Sequence, residues 1–414
     1  MKTPCIAFIE SNTSGTGRLF ARKAADQGYR PVLLVQDPAR YPYIHTDALS
    51  YLQCDTASEA SLCKCIEDMT GEFHFAGIFS SSEYFIETAA ILAEKFHLPG
   101  PDPDAVKACR NKGMQRQYFS KAGLRTPDFE RVTSIHEAVE AATRILLPVI
   151  LKPTLGTGSV GVRLCRTQEE VVEHAELLLQ RTTNERGMPI PSELLVEEYV
   201  TGPEYSVEIM DGTIVGITSK HLSREPFFVE TGHDFPAHLP QYVEQSIGDT
   251  VKTALQAMEL TWGPAHIELR LSSVGPVIIE INPRLAGGFI PEIVRLALGT
   301  DMIMETIKLV VGTPSNLSRL TKRCASIRFL TPFKKGVIAK LDGLEEAWKT
   351  DGVTDIQIYR KIGDRICIEN DFRDRLGHVI CQADLQVQAS QSAEAAAGKI
   401  NIFIQPCEDC SANG

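Results

Sequence analysis

The segment Ala265–Arg284, AHIELRLSSVGPVIIEINPR, sets two glutamates against each other. HIELRL and PVIIEIN read as strands joined by SSVG, a strong hairpin signal. Side chains alternate along a strand, so His266, Glu268 and Arg270 share a face, and on the partner Ile278, Glu280 and Asn282 share one. A turn centred near Val274 puts Glu268 opposite Glu280 and His266 opposite Asn282. Opposed residues of an antiparallel pair have Cβ atoms about 4.5–5.5 Å apart, and like charges there repel. Apolar neighbours make that repulsion costlier. A divalent cation resolves the conflict, because two carboxylates and an amide oxygen suit Mg2+ and phosphate oxygens can complete its octahedron. A one-residue slip would expose Ile267, Leu269, Ile279 and Ile281 instead. Arg284 follows Pro283 and is placed to hold a transferring phosphoryl group. Gly287 and Gly288, in LAGGF, allow close backbone approach.

A second candidate lies a hundred residues earlier. VILKPTLGTGSVGVRL places Gly156, Gly158 and Gly161 in a G-x-G-x-x-G spacing, the mark of dinucleotide sites. That device needs a helix directly after the glycines, with its amino terminus on the pyrophosphate. Here VGVRLCR alternates as a second strand, and a helix starts only at Thr167. The glycines therefore form the tip of a hairpin, which disfavours a dehydrogenase. No G-K-[ST] follows, so a Walker A loop fails too. A glycine hairpin can fold over a triphosphate as a mobile flap, disordered or open without nucleotide, with Lys152 reaching the phosphates as a point charge.

The elements that must position these residues follow from the patterning. CIAFIE, RPVLLVQD and FAGIFSSS alternate with helical stretches, Arg18–Gln27 among them, as in a parallel sheet covered on both faces. The loop Ser14–Gly17 stands where such a sheet binds ligands, but Phe20 replaces a third glycine. LPGPDPDA is a boundary, followed by a helix over 105–122. From Leu147 to about Arg284 the chain is rich in strands, with helices near Pro291–Ala297 and Met302–Val311. Glu230 and His233 fall in FFVETGHDFPAHLP, which reads as a loop. The last hundred residues read as a small α+β cap without a catalytic cluster.

Composition narrows the class. The chain has 414 residues, room for two or three domains, with 42 basic against 53 acidic side chains and a formal charge of −11. That balance disfavours nucleic acid or an anionic membrane as partner. No apolar run approaches the ~18–20 residues of a membrane span, and the amino terminus reads as a strand rather than a signal peptide. Eleven scattered cysteines suit a reducing cytoplasm. The lone C-x-x-C at Cys407 and Cys410 and the lone C-x-C at Cys63 and Cys65 lack the companions a zinc site needs.

With its lysine–glycine hairpin, opposed glutamates and E-x-N-P-R, the chain resembles the ATP-grasp superfamily. Within it, the chain looks most like the carboxylate–amine ligases that join amino acids into dipeptides. The resemblance covers nearly the whole chain. It implies an α/β and α+β fold: a Rossmann-like domain over 1–100, an ATP-grasp core over 101–312 with a glycine-rich lid subdomain at about 125–198, and a C-terminal α+β subdomain over 313–414. It implies that Lys112 and Lys152 bind the phosphates of ATP beneath Gly156, Gly158, Ser159 and Gly161. Backbone groups of Glu197, Glu198, Tyr199 and Val200 would contact adenine, and Glu204 the ribose or nucleotide edge. Glu268, Glu280 and Asn282 would hold two Mg2+ ions, with Mn2+ an alternative. Arg284 would grip the acyl phosphate beside Gly287 and Gly288. Glu230 would pair with a substrate ammonium, and His233 would polarise the phosphate or carboxylate. The implied activity is ATP-dependent amide formation from a small carboxylate and an amine, in a cytoplasmic protein whose relatives are commonly dimers. The competing expectations are carboxylation or cyclisation on the same core, and nucleotide binding without catalysis.

Overall fold

The computed structural model describes residues 3–13 and 16–406. Ser14 and Gly15 of the first glycine loop, and the Cys407–Cys410 pair, lie outside them. The amino-terminal sheet is parallel, in the spatial order Ser50–Gln53, Arg30–Val35, Thr3–Ile9, Phe73–Phe79. Its alternation fills two cores. Ile6, Phe8, Leu33 and Val35 face one side with Phe20 and Phe79, whereas Cys5, Ala7, Ile9, Val32 and Leu34 face the other. Both faces are covered, as a parallel sheet requires.

The expected long helix over 105–122 is two helices, Pro103–Arg110 and Lys112–Lys121. Asn111 between them is extended, and its side chain accepts the Met114 N–H at 3.0 Å. An asparagine cap satisfies one orphan donor of the second helix and starts it afresh. The break sets Lys112 at a helix start, where its backbone N–H reaches the Thr154 carbonyl at 3.1 Å.

The glycine hairpin is built as expected. Val149–Pro153 and Arg163–Cys165 pair antiparallel, within a four-stranded sheet that also holds Phe129–Val132 and Leu194–Glu198. Val149, Leu151, Leu194 and Val196 pack on the helices Ile135–Ile145 and Gln168–Leu179. Ile150, Lys152 and Glu197, one residue out of phase, border the central cavity.

The largest sheet has eight strands among the described residues. Its order is Gly275–Asn282, Pro264–Ser272, Glu204–Met210, Thr213–Leu222, Glu230–Phe235, Cys324–Leu330, Gly377–Ala383 and Val353–Ile358. Three of these strands come from the segment read as a separate cap, so that segment extends the central sheet. Val207, Ile209, Ile267, Leu269 and Ile281 pack against the helix Gln241–Ala257. The alternate residues, Glu208, His266, Glu268 and Arg270, look the other way. The helices Ile290–Leu298 and Met302–Val310 close one core with Phe8, Phe235 and Ile327, which joins the amino-terminal sheet to the central one. Among the described residues no helix is long and apolar enough to cross a membrane.

Candidate active site

Glu268 stands opposite Glu280, and His266 opposite Asn282, as the spacing requires. The pairing shifts by one at Leu269, which faces Ile278. Ile279 is the extra residue of a β-bulge. It turns to the cavity while Ile278 enters the core, so Ile278 does not share the face of Glu280.

The expected nucleotide and substrate residues converge on one cavity of about 960 Å³. Of the sequence-derived set, Gly161 and His233 alone do not border it. Gly161 takes φ +74° and gives its carbonyl to His174 at 2.9 Å, closing the hairpin from behind. The hairpin is seated, not splayed open. Thr157 Oγ1 accepts from Arg284 at 3.0 Å, and Ser159 Oγ donates to the Phe228 carbonyl at 3.1 Å.

Lys112 Nζ lies 3.0 Å from Glu280 and 2.9 Å from the Gly156 carbonyl. Lys152 Nζ lies 2.5 Å from Glu197, whose other oxygen accepts from fully buried Arg116 at 2.7 Å. Burial alone would raise the Glu197 carboxyl, but Arg116 and Lys152 hold it below the usual range. Burial lowers the Lys152 ammonium against the pull of Glu197. The Glu197 side chain is thus a clamp on Lys152.

Behind three of the cavity glutamates sits buried Lys220, which the sequence reading missed. Its Nζ reaches Glu204 at 2.9 Å, Glu230 at 2.9 Å and Glu268 at 3.0 Å. Burial works against the ammonium, yet the three carboxylates raise it well above its ordinary pKa. Each carboxylate has a further cation: Arg270 on Glu204 at 3.1 Å, Arg375 on Glu230 at 2.5 Å, and His266 on Glu268 at 3.2 Å. Burial would lower His266, but Glu208 and Glu268 lift it to about 9.

FFVETGHDF is a strand with a bulge, not a loop. His233 pairs with Lys220 and Glu230 with Leu222, so Thr231 is the extra residue and Glu230 and His233 share a face despite their spacing of three. His233 is fully buried, and neither ring nitrogen has a hydrogen-bond partner among the described residues. It lies behind Gly288, where a Cβ would come within 2.6 Å of its Nε2. The ring does not border the cavity, so here it backs the wall at Gly288 instead of facing a phosphate or carboxylate.

Burial pushes His233 down to about 3, against the opposing pull of Glu230, with Arg375, Lys220 and His266 adding to the depression. The ring is neutral in the fold but protonates in the unfolded chain from its ordinary value of 6.5. Its contribution to stability is therefore complete above that value and is lost as pH falls toward about 3. Urea unfolding of His233→Gln, followed from about pH 6 to about pH 4, should fall less steeply than the parent by about 1.4 kcal/mol per pH unit. Parallel slopes would show that His233 is not the titrating group.

Arg284 ties three parts of the chain together. It pairs with Glu83 from the end of the amino-terminal strand Phe73–Phe79, donates to Thr157 of the hairpin, and bonds the Leu285 carbonyl at 2.9 Å. Glu83 is buried, which would raise its carboxyl, but Arg284 and Arg110 hold it below the usual range. The lid is tied to the amino-terminal domain a second time. Tyr84 donates to Glu185 at 2.6 Å, and Arg186 donates to the Ser11 carbonyl at 2.5 Å.

The donor set fits a nucleotide-bound divalent cation. Glu268, Glu280 and Asn282 are hard oxygen ligands on one cavity wall. Among the described residues no three His, Cys, Asp or Glu side chains form a metal cage. A cation held by these oxygens would complete its shell with water or phosphate oxygens, the usual situation for Mg2+.

Comparison with known proteins agrees with this geometry. Residues 145–292 match the ATP-grasp domain, and residues 328–405 match the L-amino acid ligase C-terminal domain 2. An uncharacterized protein, y4rH, of Sinorhizobium fredii is 36% identical over 402 residues, covering 97% of this chain and 84% of that protein. The alanine–anticapsin ligase of Bacillus subtilis is 27% identical over 279 residues, 62% of this chain and 59% of the ligase. Carnosine synthase 1 of Gallus gallus is 28% identical over 280 residues, and the chain spans only 30% of it. The crystal structure of an L-amino acid ligase from Bacillus licheniformis superposes with a TM-score of 0.81 at 21% identity, over 98% of this chain and 100% of that one. The fold is that of an ATP-grasp protein. The chain belongs to the ATP-grasp family, in the branch that carries the L-amino acid ligase C-terminal domain.

Proposed function

We propose that this chain is an ATP-dependent carboxylate–amine ligase that joins two amino acids, or an amino acid and a small carboxylic acid. ATP phosphorylates the carboxylate to an acyl phosphate, the amine attacks the carbonyl, and phosphate leaves, giving an amide, ADP and phosphate. The observation that carries this reading is the convergence of two lysines, the opposed glutamates with Asn282, and Arg284 on one cavity. The similarity to an alanine–anticapsin ligase and to L-amino acid ligases supports amino acids as substrates.

Lys112 and Lys152 hold the triphosphate, and the seated hairpin covers it. The hinge backbone from Glu197 to Val200 receives the base, and Glu204 the ribose side. Glu268, Glu280 and Asn282 would hold two Mg2+ ions, or Mn2+ in their place. When bound, the metal neutralises phosphate oxygens and favours transfer of the γ-phosphoryl group. Arg284 holds the migrating charge, and positioning supplies the rest of the rate. Glu230 accepts a substrate ammonium. His233, Gly287 and Gly288 shape the backbone at the reacting carbonyl.

The test is phosphate release across pairs of amino acids and small carboxylic acids, with mass detection of the product. An amide whose mass is the sum of the pair less water, formed with one ADP, is the expected result. Phosphate release that needs bicarbonate and no amine would mean carboxylation instead. Absence of ADP with every substrate would reduce the chain to a nucleotide-binding protein.

A further inference from the structure

The C-terminal segment carries a stiff turn that points one aromatic ring at the lid. Asp371 caps the turn Phe372–Asp374, accepting from the Arg373 N–H at 2.9 Å and gripping the Arg373 guanidinium. The Asp374 carboxylate accepts the N–H groups of Glu369 and Asn370 at 2.8 and 2.9 Å. Arg375 is fixed on Glu230, and its guanidinium lies 3.9 Å above the Phe329 ring. Phe372, between these anchored residues, is 41% exposed. A turn held this firmly would not need an aromatic there for its own stability.

The ring meets the tip of the glycine hairpin. A Cβ at Gly158 would lie 2.5 Å from Phe372 Cδ1, 3.2 Å from Cε1 and 3.3 Å from Cγ. The ring thus lies against the Cα of Gly158, at a position whose φ of +66° also favours glycine. Both residues border the cavity. The neighbouring tip residues make polar contacts, Gly156 to Lys112, Thr157 to Arg284 and Ser159 to the Phe228 carbonyl. Water can replace each of those bonds, but it cannot replace an apolar face. The tip also lies over the Lys112 and Arg284 end of the cavity, where an acyl phosphate would form and where water would destroy it.

We propose that Phe372 is a positioning residue: the seat on which the glycine lid closes, excluding water from the reacting phosphate. This assignment rests on the ligase reading above. It gives the C-terminal segment a part in catalysis without any contact with the reacting atoms. Loosening the seat leaves nucleotide binding nearly intact but lets the lid open during the lifetime of the intermediate.

The test compares full-length Phe372→Ala and Phe372→Leu with the parent. Phosphate released per amide formed should be near one in the parent, rise in Phe372→Ala, and return toward one in Phe372→Leu. The KM for ATP should change little. A purely structural defect would lower both products in proportion and leave the ratio unmoved, which would overturn the proposal. Hydrogen exchange of the amides over 154–162, measured with a non-hydrolysable ATP analogue, reads the lid directly and needs no turnover. Exchange there should quicken about tenfold in Phe372→Ala, and unchanged exchange would equally overturn it. If the parent forms no amide with any pair, the ligase reading fails while the exchange measurement still decides whether Phe372 seats the lid.

Discussion

Replacing Glu280 with Gln is expected to lower ADP formation by about a thousandfold or more while leaving the fold intact. Loss of one carboxylate from a metal–phosphate cluster removes several kcal/mol of transition-state stabilisation, and each ~1.4 kcal/mol is tenfold in rate. The amide is nearly isosteric and keeps an acceptor for Lys112, which lies 3.0 Å from the native carboxylate. Lys112 also keeps the Gly156 carbonyl, so no buried cation is stranded. Urea unfolding without metal should therefore match the parent within about 1 kcal/mol, as expected when a hydrogen-bond acceptor is retained. Turnover within a few fold of the parent at saturating Mg2+ would remove Glu280 from the metal site and weaken the opposed-pair account.

The second large effect belongs to Lys220. In Lys220→Met, three half-buried carboxylates lose the buried ammonium they share, and Arg270, Arg375 and His266 are left to balance them singly. Removing one partner of a buried ion pair typically costs about 3–5 kcal/mol, and loss in that range is expected here by urea unfolding in EDTA. Without Lys220 the carboxyl pKa values of Glu230 and Glu268, which it depresses, must rise. Protonation then relieves the repulsion, so the deficit should shrink as pH falls from about 7 to about 5. Lys220→Arg should restore part of the stability. A deficit under about 1 kcal/mol, independent of pH, would show that the other cations already neutralise the cluster.

The contrast between Glu280 and Lys220 shows what the sequence made legible. The Glu268–Glu280 opposition needs only a two-residue period and a short turn, both local, and the register bears it out. The glycine hairpin was readable for the same reason, because its flanking strands alternate. Lys220 belongs to a strand whose pattern names no partner, and its three glutamates come from three other strands. Only the lysine itself, inside the apolar run GTIVGITSKHL, hinted at a buried charge. Glu83 carried a comparable hint, as the first acid after a strand that ends at the ligand edge of a parallel sheet. Arg375 gave no local sign, since its role depends on the C-terminal strands joining the central sheet. The bulges at Thr231 and Ile279 were invisible because an unpaired residue in an apolar strand looks like any other. Asn111 was overlooked, although an asparagine before Lys-Gly is a readable helix start.

The contacts of Arg284 carry a consequence beyond its proposed grip on a phosphate. Its guanidinium is shared among a glutamate of the amino-terminal domain, a threonine on the flap and a carbonyl of its own loop. Those three groups meet on one side chain with the assembled core beneath and the flap down. On the ligase reading the residue would work as a coincidence detector: its contacts are complete when all three parts are in place, and incomplete when any one is missing. An enzyme built this way would hold back its phosphoryl chemistry until closure, with the check made by the same side chain that meets the reacting group.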